Sequence, residues 1–232
     1  MADYSKLDHW SLKAQKEGYP ARSVYKLREM DEKFGLLKQS RQMPRQQPFK
    51  VLDLGAAPGS WSLYVLRKFS GISKKSGGTE PPGSGRFSQA SGVSPVFLVS
   101  IDLAPLSRQY DQGLFDKQEF FFIQGDFTDS TVRETILSQG PYSLIVSDAA
   151  PATTGNRSVD TLRSLALAET ALDYAGTVLA RGGNLVVKVF QGGDTGNLLK
   201  TIRGLFETGK SFKPQACRSE SFETYYLGLG KK

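Results

Sequence analysis

A single cysteine, Cys217, and a single histidine, His9, are all that the 232 residues supply. One cysteine cannot close an intramolecular disulfide, which excludes stapled secreted scaffolds and points to a reducing cytoplasm. The same scarcity excludes a His/Cys cluster of metal-ligand spacing, so no metal site is expected. No uninterrupted apolar run approaches the length of a membrane span, so no membrane partner is expected. The start, MADYSKLDHW, lacks the basic-then-apolar layout of a signal peptide. No internal repeat is visible. Two phosphate-binding signatures are missing as well. The glycine turn reads Gly55-x-x-x-Gly59 rather than G-x-G-x-x-G, and no Gly-Lys-Ser/Thr of a Walker loop follows it.

What is present fits one soluble domain with a sizeable core: 39% hydrophobic and 23% charged residues. The net charge of +7 is unevenly spread. Residues 1–48, 67–86 and 200–232 each carry +4, and the remainder carries −5. A basic periphery around an acidic middle implies a polyanionic partner.

Short β-branched runs alternate with helical patterns. Strands are expected at Lys50–Leu54, Val96–Leu103, Phe120–Gln124, Ser143–Ser147 and Asn184–Phe190, with a weaker pair near Phe212–Ala216 and Thr224–Leu229. Helices are expected near Trp61–Phe69, Ser130–Ser138, Val159–Ala180 and Gly196–Phe206, the third stopped by the glycine pair of ARGGN. The pattern predicts an α/β fold, an open and mostly parallel sheet with helices on both faces. Residues 1–48 read as a basic helical extension packed on the domain of residues 49–232. Within it, Val24, Leu27, Met30 and Phe34 share one helical face after Pro20. From Ser70 to Pro95, 16 of 26 residues are Gly, Ser or Pro, which predicts a mobile surface insertion.

In such a sheet a ligand sits beyond the carboxyl ends of the strands, usually at the first strand–helix turn. VLDLGAAPGSW, Val51 to Trp61, occupies that place. Pro58 removes an N–H that would have cradled phosphate, so the turn suits a nucleoside without phosphates, approached closely at Gly55 and Gly59. Later strands end in acids. Asp102 is placed to accept hydrogen bonds from ribose hydroxyls, Asp126 to meet an adenine amino group, and Asp148 to lie near an amino-acid end. S-adenosylmethionine satisfies all of these: adenosine, no phosphate, and a cationic sulfonium at home among carboxylates.

Several stretches together, GYPARSVYKLREMDEK, VLDLGAAPGSWSLYVL, IQGDFTD, LIVSDAAPATTG, GGNLVVKVFQG and RSESFETYYLGLG, resemble the FtsJ/RrmJ-type 2′-O-ribose methyltransferases, in particular the bacterial branch that modifies a uridine of 23S ribosomal RNA. The resemblance covers nearly the whole chain apart from Ser70–Pro95. It implies a single Rossmann-like methyltransferase domain with a seven-stranded sheet and one late antiparallel strand. It also implies a Lys-Asp-Lys-Glu tetrad at Lys26, Asp148, Lys188 and Glu223, and donor contacts at Gly59, Trp61, Asp102, Asp126 and Asp148. Gly55 is added from the loop. RSESFE offers two glutamates, Glu220 and Glu223, of which Glu223 matches the family's ETYYLGLG-type ending better. Phe222 stands where related sequences often carry a basic residue.

Methyl transfer to a ribose hydroxyl needs a base, and Lys188, a lysine inside an apolar strand, is the expected one. An ordinary lysine amine is protonated at neutral pH. Burial and a cationic neighbour such as Lys26 would favour the neutral amine, against the pull of Asp148 and Glu223. Lys13, Lys16, Arg22 and Arg28, with Arg203, Lys210, Lys213 and Arg218, are expected to track phosphates; of Tyr19 and Tyr25, at least one is expected to pack in the core and the other is a candidate to stack on a base. The expected activity is methylation of 23S ribosomal RNA in the large ribosomal subunit by a cytoplasmic monomer. The alternatives are the same chemistry on tRNA or an mRNA cap, and a non-catalytic ribosome assembly factor.

Overall fold

Apolar hexapeptides become the middle of the sheet, and the amphipathic stretches between them become its covering helices. The computed structural model describes residues 8–38, 40, 47–70, 96–192, 195–218 and 221–232. In chain order the elements are α1 (His9–Glu17), α2 (Val24–Phe34), β1 (Phe49–Leu54), α3 (Ser60–Ser70), β2 (Val96–Asp102), β3 (Phe120–Gln124), α4 (Ser130–Ser138) and β4 (Tyr142–Ser147). They continue with α5 (Arg157–Val178), β5 (Leu179–Phe190), α6 (Thr195–Leu205), β6 (Phe206–Phe212) and β7 (Glu223–Lys231). The strands form one sheet in the order β3-β2-β1-β4-β5-β7-β6, parallel except for β7, which runs antiparallel to both neighbours. Among the described residues no helix is long and apolar enough to cross a membrane.

Alternation along the strands splits the core in two. Val51, Leu98, Leu144, Val186 and Tyr225 face a layer that includes α1, α2 and α3. Leu52, Val99, Ile145, Val187 and Tyr226 face α5 and α6. Buried on both faces, the central strands read as near-continuous apolar runs.

Helix α2 presents Val24, Leu27 and Met30, all fully buried, to the first layer. Each contributes roughly 1.5–3 kcal/mol by leaving water. Its far end is fastened by Asp31, whose carboxylate accepts from Leu37 N (2.9 Å) and the Tyr64 hydroxyl (2.8 Å) and pairs with Lys68. Its near end is clasped by α3. The Ser60 hydroxyl bonds both the amide and the carbonyl of Ala21, and the Trp61 indole donates to Ser23 O at 2.8 Å. Asp31→Ala strands buried donors, so a loss of about 2–4 kcal/mol in urea unfolding is expected.

Three expectations change. The third predicted helix stops at Val178, not Ala180, and Leu179 is already extended. The glycine pair Gly182–Gly183 therefore lies inside β5, where the β4–β5 register jumps from Tyr142↔Leu179 to Leu144↔Asn184. The pair serves an irregular strand start; Gly182 has φ 74°. The weaker strand placed near Phe212–Ala216 is instead β6, Phe206–Phe212, which begins directly where α6 ends. The insertion expected at Ser70–Pro95 lies outside the described residues apart from Ser70, which ends α3.

Candidate active site

β1 connects outward to β2 on one side, while β4 lies against its other edge, so the strand order reverses between β1 and β4. Such a switch point opens a crevice above the strand ends. Gly55 leaves β1 at φ 77° and donates to Ile101 O at 2.9 Å. A Cβ on it would stand 2.6 Å from Ala149 Cα, so only glycine fits where the loop passes β4. Gly59, at φ 105°, leads into α3 beneath Phe115.

Asp102 closes β2, and its two oxygens accept from Ala57 N (2.8 Å) and Ala104 N (2.9 Å). It thus holds the glycine turn in shape and keeps further lone pairs for a ligand. Asp126 is exposed and folds an Asx turn onto Thr128. Trp61 is 2% exposed with its indole N–H committed to Ser23 O, so it packs and positions α2 from within the core.

Across the crevice, four charged side chains from four distant segments meet. Lys26 Nζ of α2 lies 2.6 Å from Glu223 Oε1 at the start of β7. Lys188 Nζ of β5 lies 3.1 Å from Asp148 Oδ1 just beyond β4, and also donates to the Asp148 carbonyl. Glu220, the competing glutamate, lies outside the described residues. Tyr225 links the pairs: its hydroxyl donates to Asp148 Oδ1 at 2.6 Å, and the Lys26 ammonium sits 5.9 Å from its ring centroid.

Burial alone would raise the Asp148 carboxyl, but the Lys188 and Lys26 amines and the Tyr225 hydroxyl overcome it and hold the group below the usual carboxylate range. For Lys26, burial pulls downward and the carboxylates of Asp148 and Glu223 more than reverse it, so this amine stays a cation. Burial, followed by Asp148 and Glu223, pushes the Tyr225 hydroxyl well above its ordinary value, so it acts as a neutral donor. Cys217 lies beside the cluster and is pushed up to about 12 by burial and by Glu223, which keeps it an inert thiol.

Two members of this region carried no predicted role. Tyr225 shares a strand face with Glu223 at a spacing of two, the one sequence signal that would have flagged it. Asp53 is an acid inside an apolar strand, itself a warning of function. It is buried beneath the glycine turn, where its Oδ2 accepts from Ser62 (2.8 Å) while its Oδ1 has no hydrogen-bond partner among the described residues.

Much of the predicted basic surface is engaged within the fold. Arg28 pairs with Glu17 at 2.9 Å and lies over the rings of Tyr19 and Tyr25, both of which are buried. Arg22 binds Asp8 and the Ala216 carbonyl, Arg203 bonds Gly209 O, and Lys213 bonds Ser221 O. Lys13 caps the rings of Trp10 and Tyr25, and Lys210 approaches Phe34. Lys16 is exposed in the last turn of α1, and Arg218 lies 4.0 Å from Asp8.

Among solved structures, a ribosomal RNA methyltransferase from Plasmodium falciparum superposes with a TM-score of 0.63 at 23% identity, over 92% of this chain and 98% of that one. Human Methyltransferase-like protein 13, solved in complex with SAH, superposes at 0.53 and 11% identity, over 87% and 80%. Both show a shared fold. In sequence, the Ribosomal RNA large subunit methyltransferase E of Treponema denticola is 46% identical over 229 residues, 99% of this chain and 97% of that protein. The protein of the same name from Borreliella afzelii is 42% identical over 222 residues, 95% and 96%. The family profile described as FtsJ-like methyltransferase spans residues 19–231, taking in the glycine turn and all four charged residues of the crevice. This chain belongs to the FtsJ-like methyltransferase family.

Proposed function

We propose that the protein transfers a methyl group from S-adenosylmethionine to a ribose 2′-hydroxyl of large-subunit ribosomal RNA, a uridine, acting as a cytoplasmic monomer. The observation that carries the reading is the pair of interlocked ion pairs, Lys26–Glu223 and Lys188–Asp148, at the switch point beside a glycine turn. The helices of residues 1–48 serve as a cap that delivers Lys26 to it. The names of the relatives supply the ribosomal RNA.

The residues present fit this donor. Gly55 lets the turn pass tightly against Ala149, Pro58 withholds an N–H from phosphate, and three carboxylates stand at successive strand ends. Asp53 Oδ1, buried and unpartnered beneath the turn, adds acceptor capacity suited to a cationic amino-acid portion. Asp102 and Asp126 would hold the adenosine, and Asp148 would face the cationic end. When bound, S-adenosylmethionine supplies an electrophilic methyl carbon on a cationic sulfur.

The chain's own residues do the rest. Lys188 takes the proton of the attacking 2′-hydroxyl at Nζ, while Asp148 and Tyr225 fix the direction of that amine. Lys26, held cationic by Asp148 and Glu223, stays paired with Glu223.

Asp102→Ala removes an acceptor and frees the Ala57 amide. Donor affinity measured by calorimetry should fall about ten- to a hundredfold, with turnover at saturating donor less affected. Unchanged donor affinity would remove Asp102 from the site. The function itself is tested by mapping 2′-O-methyl positions in ribosomal RNA from cells with and without the protein. A lost modification in tRNA or capped transcripts, with ribosomal RNA unchanged, would redirect the substrate.

A further inference from the structure

The rim of the crevice carries an aromatic side chain that the tetrad does not use. Phe222 immediately precedes Glu223, and its carbonyl accepts from Gln191 N at 2.7 Å, which ties the start of β7 to the end of β5. Its ring meets Phe190 edge to face, with centroids 4.7 Å apart at 63°. Over the same ring lies the Arg157 guanidinium, 5.3 Å from the centroid. Arg157 is exposed at the first turn of α5, and among the described residues no carboxylate pairs with it.

Topology puts this group on the same lip as the chemistry. β5 ends there, antiparallel β7 begins there, and α5 starts there after the loop that follows Asp148. Phe190 lies two residues beyond Lys188, about 7 Å along the strand. An aromatic plane topped by an unneutralised guanidinium is chemistry suited to an unstacked nucleobase and its phosphate. Neither a deep pocket nor a duplex groove is needed for it.

We propose that Phe222 and Arg157 form a stacking platform for the unpaired base of the nucleotide whose ribose is methylated, and thereby position its 2′-hydroxyl beside Lys188. The inference rests on the RNA methylation proposed above and adds that the target nucleotide is extruded from helical stacking when it reacts. Phe222 supplies the ring and Phe190 holds it upright. Arg157 lies over the ring and offers its N–H donors to the adjoining phosphate.

The test uses the full chain, with large-subunit particles from cells lacking the protein as substrate. Phe222→Ala should raise KM for the particle about ten- to a hundredfold, the range of one lost base–aromatic stack, with donor affinity unchanged. Phe222→Trp should restore KM, whereas Phe222→Leu, which keeps apolar bulk without a stacking face, should not. Arg157→Ala should raise KM and flatten its salt dependence. Rescue by Leu, or a loss of donor affinity and thermal stability in step with KM, would assign Phe222 a structural role and overturn the proposal. So would wild-type kinetics for Phe222→Ala. Binding of the same particles is measured in parallel. If the wild type binds but transfers no methyl group, while Phe222→Ala binds more weakly, the platform stands and the proposed ribosomal RNA reaction falls.

Discussion

Lys188→Met should lower single-turnover methyl transfer by about 10²–10⁴-fold while leaving the donor bound. The substitution keeps an unbranched apolar stem in a site that is 8% exposed, so β5 retains its packing against β7. What disappears is the amine 3.1 Å from Asp148 Oδ1. Asp148 then keeps Lys26 and the Tyr225 hydroxyl as its supports. Calorimetry should show a normal donor Kd beside the collapsed rate. Loss of donor affinity would reassign Lys188 from proton transfer to ligand binding.

The second large effect concerns stability and pH. Burial, with smaller contributions from Asp148 and Asp102, raises the Asp53 carboxyl to about 7, against the opposing hydrogen bond from Ser62. In the unfolded chain the group loses its proton near pH 3.9, roughly three units lower. The stabilisation due to this group is thus fully present below about pH 4, is lost as pH climbs through that interval, and levels off beyond about pH 7. A three-unit gap corresponds to about 4 kcal/mol. Asp53→Asn keeps an acceptor for Ser62 and cannot ionise, so its advantage over the wild type should widen by several kcal/mol between about pH 4 and pH 8 in urea unfolding. A difference that stays constant with pH would mean Asp53 is ionised throughout.

Legibility in the sequence followed physical cause. β3 and α4 occupy the residues expected of them, because their patterns are local: an aromatic run for one, an Asp129 cap and a 3.6-residue period for the other. β6 was misplaced because FETGKSF contains turn-forming Thr-Gly-Lys and becomes a strand only by pairing with β7 at the sheet edge. The start of β5 was hidden by a glycine pair that reads as a helix stop when the neighbouring strand is unknown.

In the site, the residue types were visible through motif likeness, but their partnerships were not. No spacing reveals that Lys26 meets Glu223 and Lys188 meets Asp148, rather than the reverse. Nor could one sequence show that Trp61 turns its indole to Ser23, or that Asp102 already holds the backbone of the glycine turn. Charge alone carries no address: Arg22 and Arg28 pair with Asp8 and Glu17, while Arg203, bonded to Gly209 O, stays exposed.

The antiparallel strand β7 is wedged between β5 and β6, and it brings both Glu223 and Tyr225 to the crevice. A fragment that stops short of this strand leaves Lys26 without its acid and Asp148 without its phenol. Under the proposed roles, such a fragment should transfer no methyl group however well its remaining sheet survives.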